Sequence, residues 1–140
     1  RVGYVIARRE AIKGYDTITE PFCVNRTGLF AAIAALTKDV EYSREIKEVI
    51  LAERHRVENE LLGLAMKFVP SHSNFIFARL PDGLDADVVC GKMMAKGVII
   101  RSCSAWGYRD CVRITVGKPA ENTEMVRVLG NVLEEEKAEG

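Results

Sequence analysis

A chain of 140 residues with 48% hydrophobic and 29% charged side chains has about the length of one domain and enough apolar mass to bury a core, which excludes a disordered chain. Its 20 basic and 20 acidic residues cancel, removing the basic footprint of a general nucleic-acid binder. No apolar run approaches the ~20 residues that cross a bilayer and no signal-peptide pattern opens the sequence, so neither nucleic acid nor membrane is expected as a partner.

The chain opens on "RVGYVIA". Residues 2–7 read as a strand, rich in β-branched and aromatic side chains, and a start in mid-strand is expected of a piece of a longer polypeptide. Residues 8–15 suit a short helix closed by Gly14. "TEPFCVN" is a connection, because Pro21 restrains itself and the residue before it. "TGLFAAIAAL", residues 27–36, is apolar nearly all round, the pattern of a helix buried on several sides. A longer helix is predicted over 40–62, with Ile46, Val49, Ile50, Val57 and Leu61 as its stripe, Arg54 and Glu58 paired on its wetter side, and Gly63 as its C-cap.

From Leu64 the pattern becomes that of a compact α+β unit. Residues 66–69 and "NFIFARL" predict two strands, separated by a turn over 70–73. "PDGLDAD" supplies turn and capping chemistry for a helix over 86–96, with Val88, Val89 and Met93 inward and a stop at Gly97. "VII" predicts a short strand ending at Arg101, the loop "SCSAWGYRD" follows, and "CVRITVG", residues 111–117, is the next strand. Pro119 announces a last helix to about Glu136, with Met125, Leu129, Val132 and Leu133 as its stripe and "EEEKAEG" as a solvated end. Strand–strand–helix–strand–strand–helix describes a small sheet covered by helices.

Cys23, Cys90, Cys103 and Cys111 form no CxxC pair and match no zinc spacing, even with His55 and His72 added. They read as buried or half-buried thiols of a reducing, cytoplasmic setting, and no metal is expected. Asn25-Arg26-Thr27 matches a glycosylation pattern that means little without secretion. Lys92, Lys96 and Lys118 read as solvent residues.

The chemistry concentrates in "CVRITVG". Alternation puts Val112, Ile114 and Val116 on one face and Cys111, Arg113 and Thr115 on the other. An arginine in a strand must meet water, a carboxylate or an anionic ligand. An exposed ion pair is one reading of Arg113. The other draws on Arg101 at the end of the preceding strand: two guanidiniums at neighbouring strand rims, with an aromatic, glycine-containing loop between them, suit the bidentate binding of a carboxylate or a phosphate.

"RVGYVIA", "PFCVN", "AERHRVENELL", "PSHSNFIF", "KGVIIR" and "VRITVGKPAEN", in that order, resemble the C-terminal portion of the fold-type I pyridoxal-phosphate aminotransferases, specifically histidinol-phosphate aminotransferases. The resemblance implies an α/β (α+β) fold in which residues 1–38 end the cofactor-binding large domain, 39–63 form the interdomain linking helix and 64–140 are the small C-terminal domain. It implies that Arg113 grips the substrate α-carboxylate, that Arg101 helps hold the phosphate of histidinol phosphate, and that Arg1 contacts the phosphate of pyridoxal phosphate. The Schiff-base lysine is expected upstream of Arg1, so these 140 residues are expected to be inactive alone. The implied partners are histidinol phosphate and 2-oxoglutarate or glutamate, in histidine biosynthesis, within a cytoplasmic homodimer. Threonine-phosphate decarboxylase and other class I/II aminotransferases are the nearest alternatives, and a stand-alone α+β module that senses a small anion is the alternative of another class. Cys23 and Trp106 depart from the family pattern near the expected substrate entrance. For Trp106 two readings stay open, packing over an imidazole or covering the small domain's core as a rim aromatic.

Overall fold

The computed structural model describes residues 2–81 and 83–139, and the chain divides between Ile46 and Lys47 into two compact units. In the first, residues 2–7 form no strand, contrary to expectation. A strand is held by the ladder to its neighbour, and no described residue of this unit supplies one. Helix α1 (Arg9–Ile18) runs through Gly14 instead of closing there; a glycine inside a helix costs only about 1 kcal/mol. Asn25 caps α2 (Arg26–Thr37) by accepting from the Gly28 N–H at 2.7 Å, so the sequon asparagine is a helix cap. The predicted burial of α2 is not found: none of its residues is buried, and Phe30 and Leu36 are largely exposed. Burial depends on what lies against a helix as well as on its own side chains, and no described residue of this unit is buried.

Helix α3 (Val40–Gly63) crosses the unit boundary. Val57 and Leu61 are fully buried, whereas Ile46 and Val49 are exposed. The Arg54–Glu58 pair exists, with Nε to Oε1 at 3.7 Å, but on the inner side: Arg54 is buried and its Nη1 donates to the Ser73 carbonyl at 3.0 Å. Arg54, Val57, Glu58 and Leu61 share one face by the i, i+3, i+4, i+7 rule, so the expected wet side was misplaced. Nor is Gly63 the C-cap. Ala65 takes the left-handed conformation (φ 59°), with Met66 N–H bonded to Leu61 O and Ala65 N–H to Leu62 O, both at 3.0 Å, the pair of bonds that closes a Schellman turn.

The second unit continues with β1 (Lys67–Val69), β2 (Phe75–Arg79), α4 (Ala86–Ala95), β3 (Arg101–Cys103), β4 (Tyr108–Thr115) and α5 (Pro119–Glu139). The element order is the predicted one, and the strands form an antiparallel sheet in the order β1-β2-β4-β3. Two boundaries differ. Residues 98–100 are not in β3, since Val98 N–H is still closing α4 through Met93 O at 3.0 Å, so the strand starts where it was expected to end. β4 begins at Tyr108, because left-handed Gly107 (φ 85°) turns the loop back into the ladder.

Ile76, Ala78, Val112 and Ile114 point from the sheet into a core shared with Leu61, Met93, Leu129 and Leu133 of the helices. Each such aliphatic side chain contributes about 1.5–3 kcal/mol on burial. Along α4, Ala86, Val89 and Met93 face this core, while Val88 is exposed; the expected inner face was one residue too wide. Lys92 and Lys96, expected in solvent, bridge to Glu136 at 2.5 Å and Glu135 at 2.9 Å and so tie α4 to α5. No helix among the described residues is long and apolar enough to cross a membrane.

Candidate anion-binding site

The sheet face turned away from the helical core carries the chemistry. Arg101 of β3 and Arg113 of β4 are cross-strand partners, and Arg113 faces Phe77 of β2. Directly opposite residues of an antiparallel pair share a face. Both guanidiniums therefore belong to one patch, beside a hollow of about 410 Å³ lined by Ile99, Ile100, Arg101, Ser102, Arg113 and Thr115.

Each guanidinium lies over an aromatic ring, Arg101 4.9 Å from the centre of Trp106 and Arg113 5.4 Å from that of Phe75. The ion-pair reading of Arg113 is not realised. Among the described residues the paired cations are others, including Arg54, Arg56, Arg79 and Lys92, and the buried Nε of Arg113 has no hydrogen-bond partner. Stacking holds a guanidinium plane while leaving its N–H edges free for a planar anion. The pair can thus accept a carboxylate, a phosphate, or both. Cys103 sits within the field of both charges: burial pushes its thiol up, and Arg113 and Arg101 act in the opposite direction.

Local structure fixes both ends of the patch. Where the chain leaves β4, the buried Asn122 amide clamps Gly117, accepting from its N–H at 2.8 Å and donating to its carbonyl at 3.0 Å. The same amide donates to Glu53 of α3 at 2.8 Å, and Glu53 is held by Arg56 at 2.8 and 3.1 Å. The hydrogen bonds of Arg56 and then Asn122 keep the Glu53 carboxyl below its ordinary pKa. At the other end, the Ser104 hydroxyl donates to Asp87 in the first turn of α4 at 2.8 Å. Hydrogen bonds from Ser102 and Ser104 likewise hold Asp87 below the usual range.

Of the residues singled out in the sequence, Arg101 and Arg113 are brought together, whereas Arg1 lies outside the described residues. Trp106 is half exposed and lies against Arg101. Cys23 is exposed, unlike the thiol expected of it, whereas Cys103 and Cys111 are buried and Cys90 half-buried. No group of three metal-ligating side chains occurs among the described residues. Sequence reasoning missed Phe75, Asp87 and Asn122. The alternation of Phe75 and Phe77 was visible, but their partners depend on a register that only pairing sets.

The fold and patch define the class. Solved structures with this fold include fold-type I aminotransferases: histidinol-phosphate aminotransferase from Sinorhizobium meliloti, in complex with pyridoxal-5'-phosphate, superposes with a TM-score of 0.69 and 26% identity over 90% of this chain and 34% of that one. L-threonine-O-3-phosphate decarboxylase from Porphyromonas gingivalis shares the fold at a TM-score of 0.67 and 24% identity, covering 92% of this chain and 40% of that one. The sequence pattern of the family Aminotransferase class I and II matches residues 1–129, and the chain belongs to that family. It is 32% identical to histidinol-phosphate aminotransferase of Aliarcobacter butzleri over 96% of its length and 36% of that protein's. It therefore spans about a third of the length of such relatives.

Proposed function

We propose that this chain is the substrate-gripping part of a pyridoxal-phosphate-dependent aminotransferase that exchanges the amino group between histidinol phosphate and 2-oxoglutarate. The observation carrying this reading is the unneutralised Arg101–Arg113 pair, in register on one sheet face. The relatives named histidinol-phosphate aminotransferase support the substrate.

Arg113 binds the α-carboxylate of 2-oxoglutarate or glutamate through two parallel N–H···O bonds. Histidinol phosphate has no α-carboxylate, so with this donor Arg113 turns its edge toward the phosphate and shares it with Arg101. One guanidinium thus serves two anions of different shape. Bound pyridoxal phosphate supplies the electron sink that stabilises loss of the substrate's Cα proton. The described residues fit the anionic ends of the substrates. The contact to the cofactor phosphate is assigned to Arg1, and no lysine lines the hollow. We place the Schiff-base lysine outside these 140 residues, which makes the chain inactive by itself, and we place the working enzyme in the cytoplasm as a homodimer.

The test is a kinetic assay of the full polypeptide carrying this chain, loaded with cofactor, on histidinol phosphate and 2-oxoglutarate. Transamination is expected, and Arg113→Ala should lower kcat/KM for 2-oxoglutarate by on the order of a hundredfold or more, the loss of two charge-assisted hydrogen bonds. Turnover of threonine phosphate with release of carbon dioxide would place the protein with the decarboxylase instead. Undiminished kinetics in Arg113→Ala would remove the carboxylate assignment.

A further inference from the structure

Arg101 is an exposed residue at the edge of the sheet, where a flexible arginine would ordinarily sample many rotamers and lose them on binding. Here its guanidinium lies 4.9 Å from the centre of the Trp106 ring, and tryptophan gives the strongest such contact among aromatic side chains. The turn that carries the indole is itself held. Trp106 ends a 3₁₀ turn, Ser104–Trp106, closed by left-handed Gly107, whose N–H bonds to Ser104 O at 2.9 Å. The start of that turn is tied to a different element by the Ser104 hydroxyl bond to Asp87 at 2.8 Å. Ser102, next to Arg101, joins the same network through its bond to Ser104 Oγ at 3.1 Å and by accepting from Ser104 N–H at 3.2 Å.

We infer that Trp106 is a positioning residue for Arg101: anchored to α4 through Ser104 and Asp87, it fixes the guanidinium plane so that the free N–H edge meets a phosphate. The stack supplies orientation without neutralisation, which a carboxylate partner in the same place would not do. This inference rests on the reading of Arg101 as a phosphate-binding group. It gives the single tryptophan of the chain a role in phosphate affinity, separate from covering the core or packing over an imidazole.

The experiment is a titration of the full 140-residue chain with inorganic phosphate at constant ionic strength. It is followed by Trp106 fluorescence and by the Nε–Hε resonances of the arginines in a ¹⁵N-labelled sample. In the unsubstituted chain the Arg101 resonance should carry the upfield ring-current shift of a stacked group and move saturably with phosphate, and Arg101→Gln should abolish the response. Trp106→Leu should remove the ring-current shift and weaken phosphate binding about fivefold, while Trp106→Tyr restores affinity to within about twofold. Ser104→Ala, which keeps the tryptophan but removes the tie of its turn to Asp87, should reduce the ring-current shift and weaken phosphate in parallel. Unchanged affinity in Trp106→Leu, or an unchanged resonance and affinity in Ser104→Ala, would overturn the positioning role while leaving the anion site standing. No saturable response in the unsubstituted chain would overturn the anion site itself.

Discussion

Ala65 holds a backbone conformation, φ 59°, in which an L side chain crowds its own carbonyl. A glycine is the usual residue at this closing position of a helix, and Gly97 occupies it after α4 with φ 83°. Ala65→Gly should therefore raise stability by about 0.5–1 kcal/mol, read as a higher urea midpoint at unchanged slope; a lower midpoint would contradict the strain. Gly63, two residues earlier, looked like the cap because glycine after an apolar run is the ordinary stop signal. The chain instead runs one more turn-closing step, because Leu61 and Met66 on either side of the turn are both buried in the core. Residue type at a helix end is legible in sequence. Which residue takes the left-handed position is decided by what the next side chains must reach.

At the scale of elements, Asn122 joins three of them: the exit of β4, the start of α5 and helix α3, with its Glu53 partner 69 residues away. Asn122→Ala removes a buried amide that makes three hydrogen bonds and strands their partners, which should cost about 2–3 kcal/mol. Calorimetry or urea unfolding measures it, and a loss below half a kcal/mol would mean that the knot relaxes freely. The carboxyl of Glu53 is held below its ordinary pKa, so its contribution is present above the unfolded value near ~4.3 and is lost as pH falls through the folded one. Acid unfolding should show this loss below about pH 4.3, and Glu53→Gln should flatten the stability profile in that window alone. A profile for Glu53→Gln parallel to that of the unsubstituted chain would show that the carboxylate is not linked to folding. Some element-level facts were readable. Asp85 and Gly97 bracket α4 as expected, whereas Arg54, read on the wetter side, shares the buried face of Val57 and Leu61, a placement that its charge concealed. The Glu53–Asn122 bond was not readable, because nothing local marks two polar residues so far apart as partners.

For the whole molecule, burial is confined to one unit. No described residue before Lys47 is buried, whereas the second unit holds a continuous core. Local stability follows buried contacts, so limited proteolysis should cut first within residues 1–46 and leave a resistant product comprising most of 47–140; early cleavage inside β4 would contradict this distribution. The thiols sort the same way. Cys23 is exposed, while burial, with Asp87 nearby, pushes the Cys90 thiol up to about 11. At pH 8 iodoacetamide should modify Cys23 alone in the native chain. Because the folded Cys90 thiol is raised, its contribution to stability is fully present below the unfolded value of ~8.5 and is lost as pH climbs toward the folded value of about 11. Rapid native alkylation of Cys90 at pH 8 would remove that assignment.

By itself the sequence determined the class of fold in the second unit, the order of its elements, the inward face of β4 and the two arginines with their kinship to the aminotransferases, because periodicity, helix-end chemistry and motif order are local. Only the tertiary structure decided that Arg101 stands opposite Arg113, that Phe75 and Trp106 lie against their guanidiniums, and that neither arginine is ion-paired among the described residues. Those facts rest on strand register and on loop closure between residues distant in the chain, where the free energy of long-range packing overrides anything a short stretch prefers.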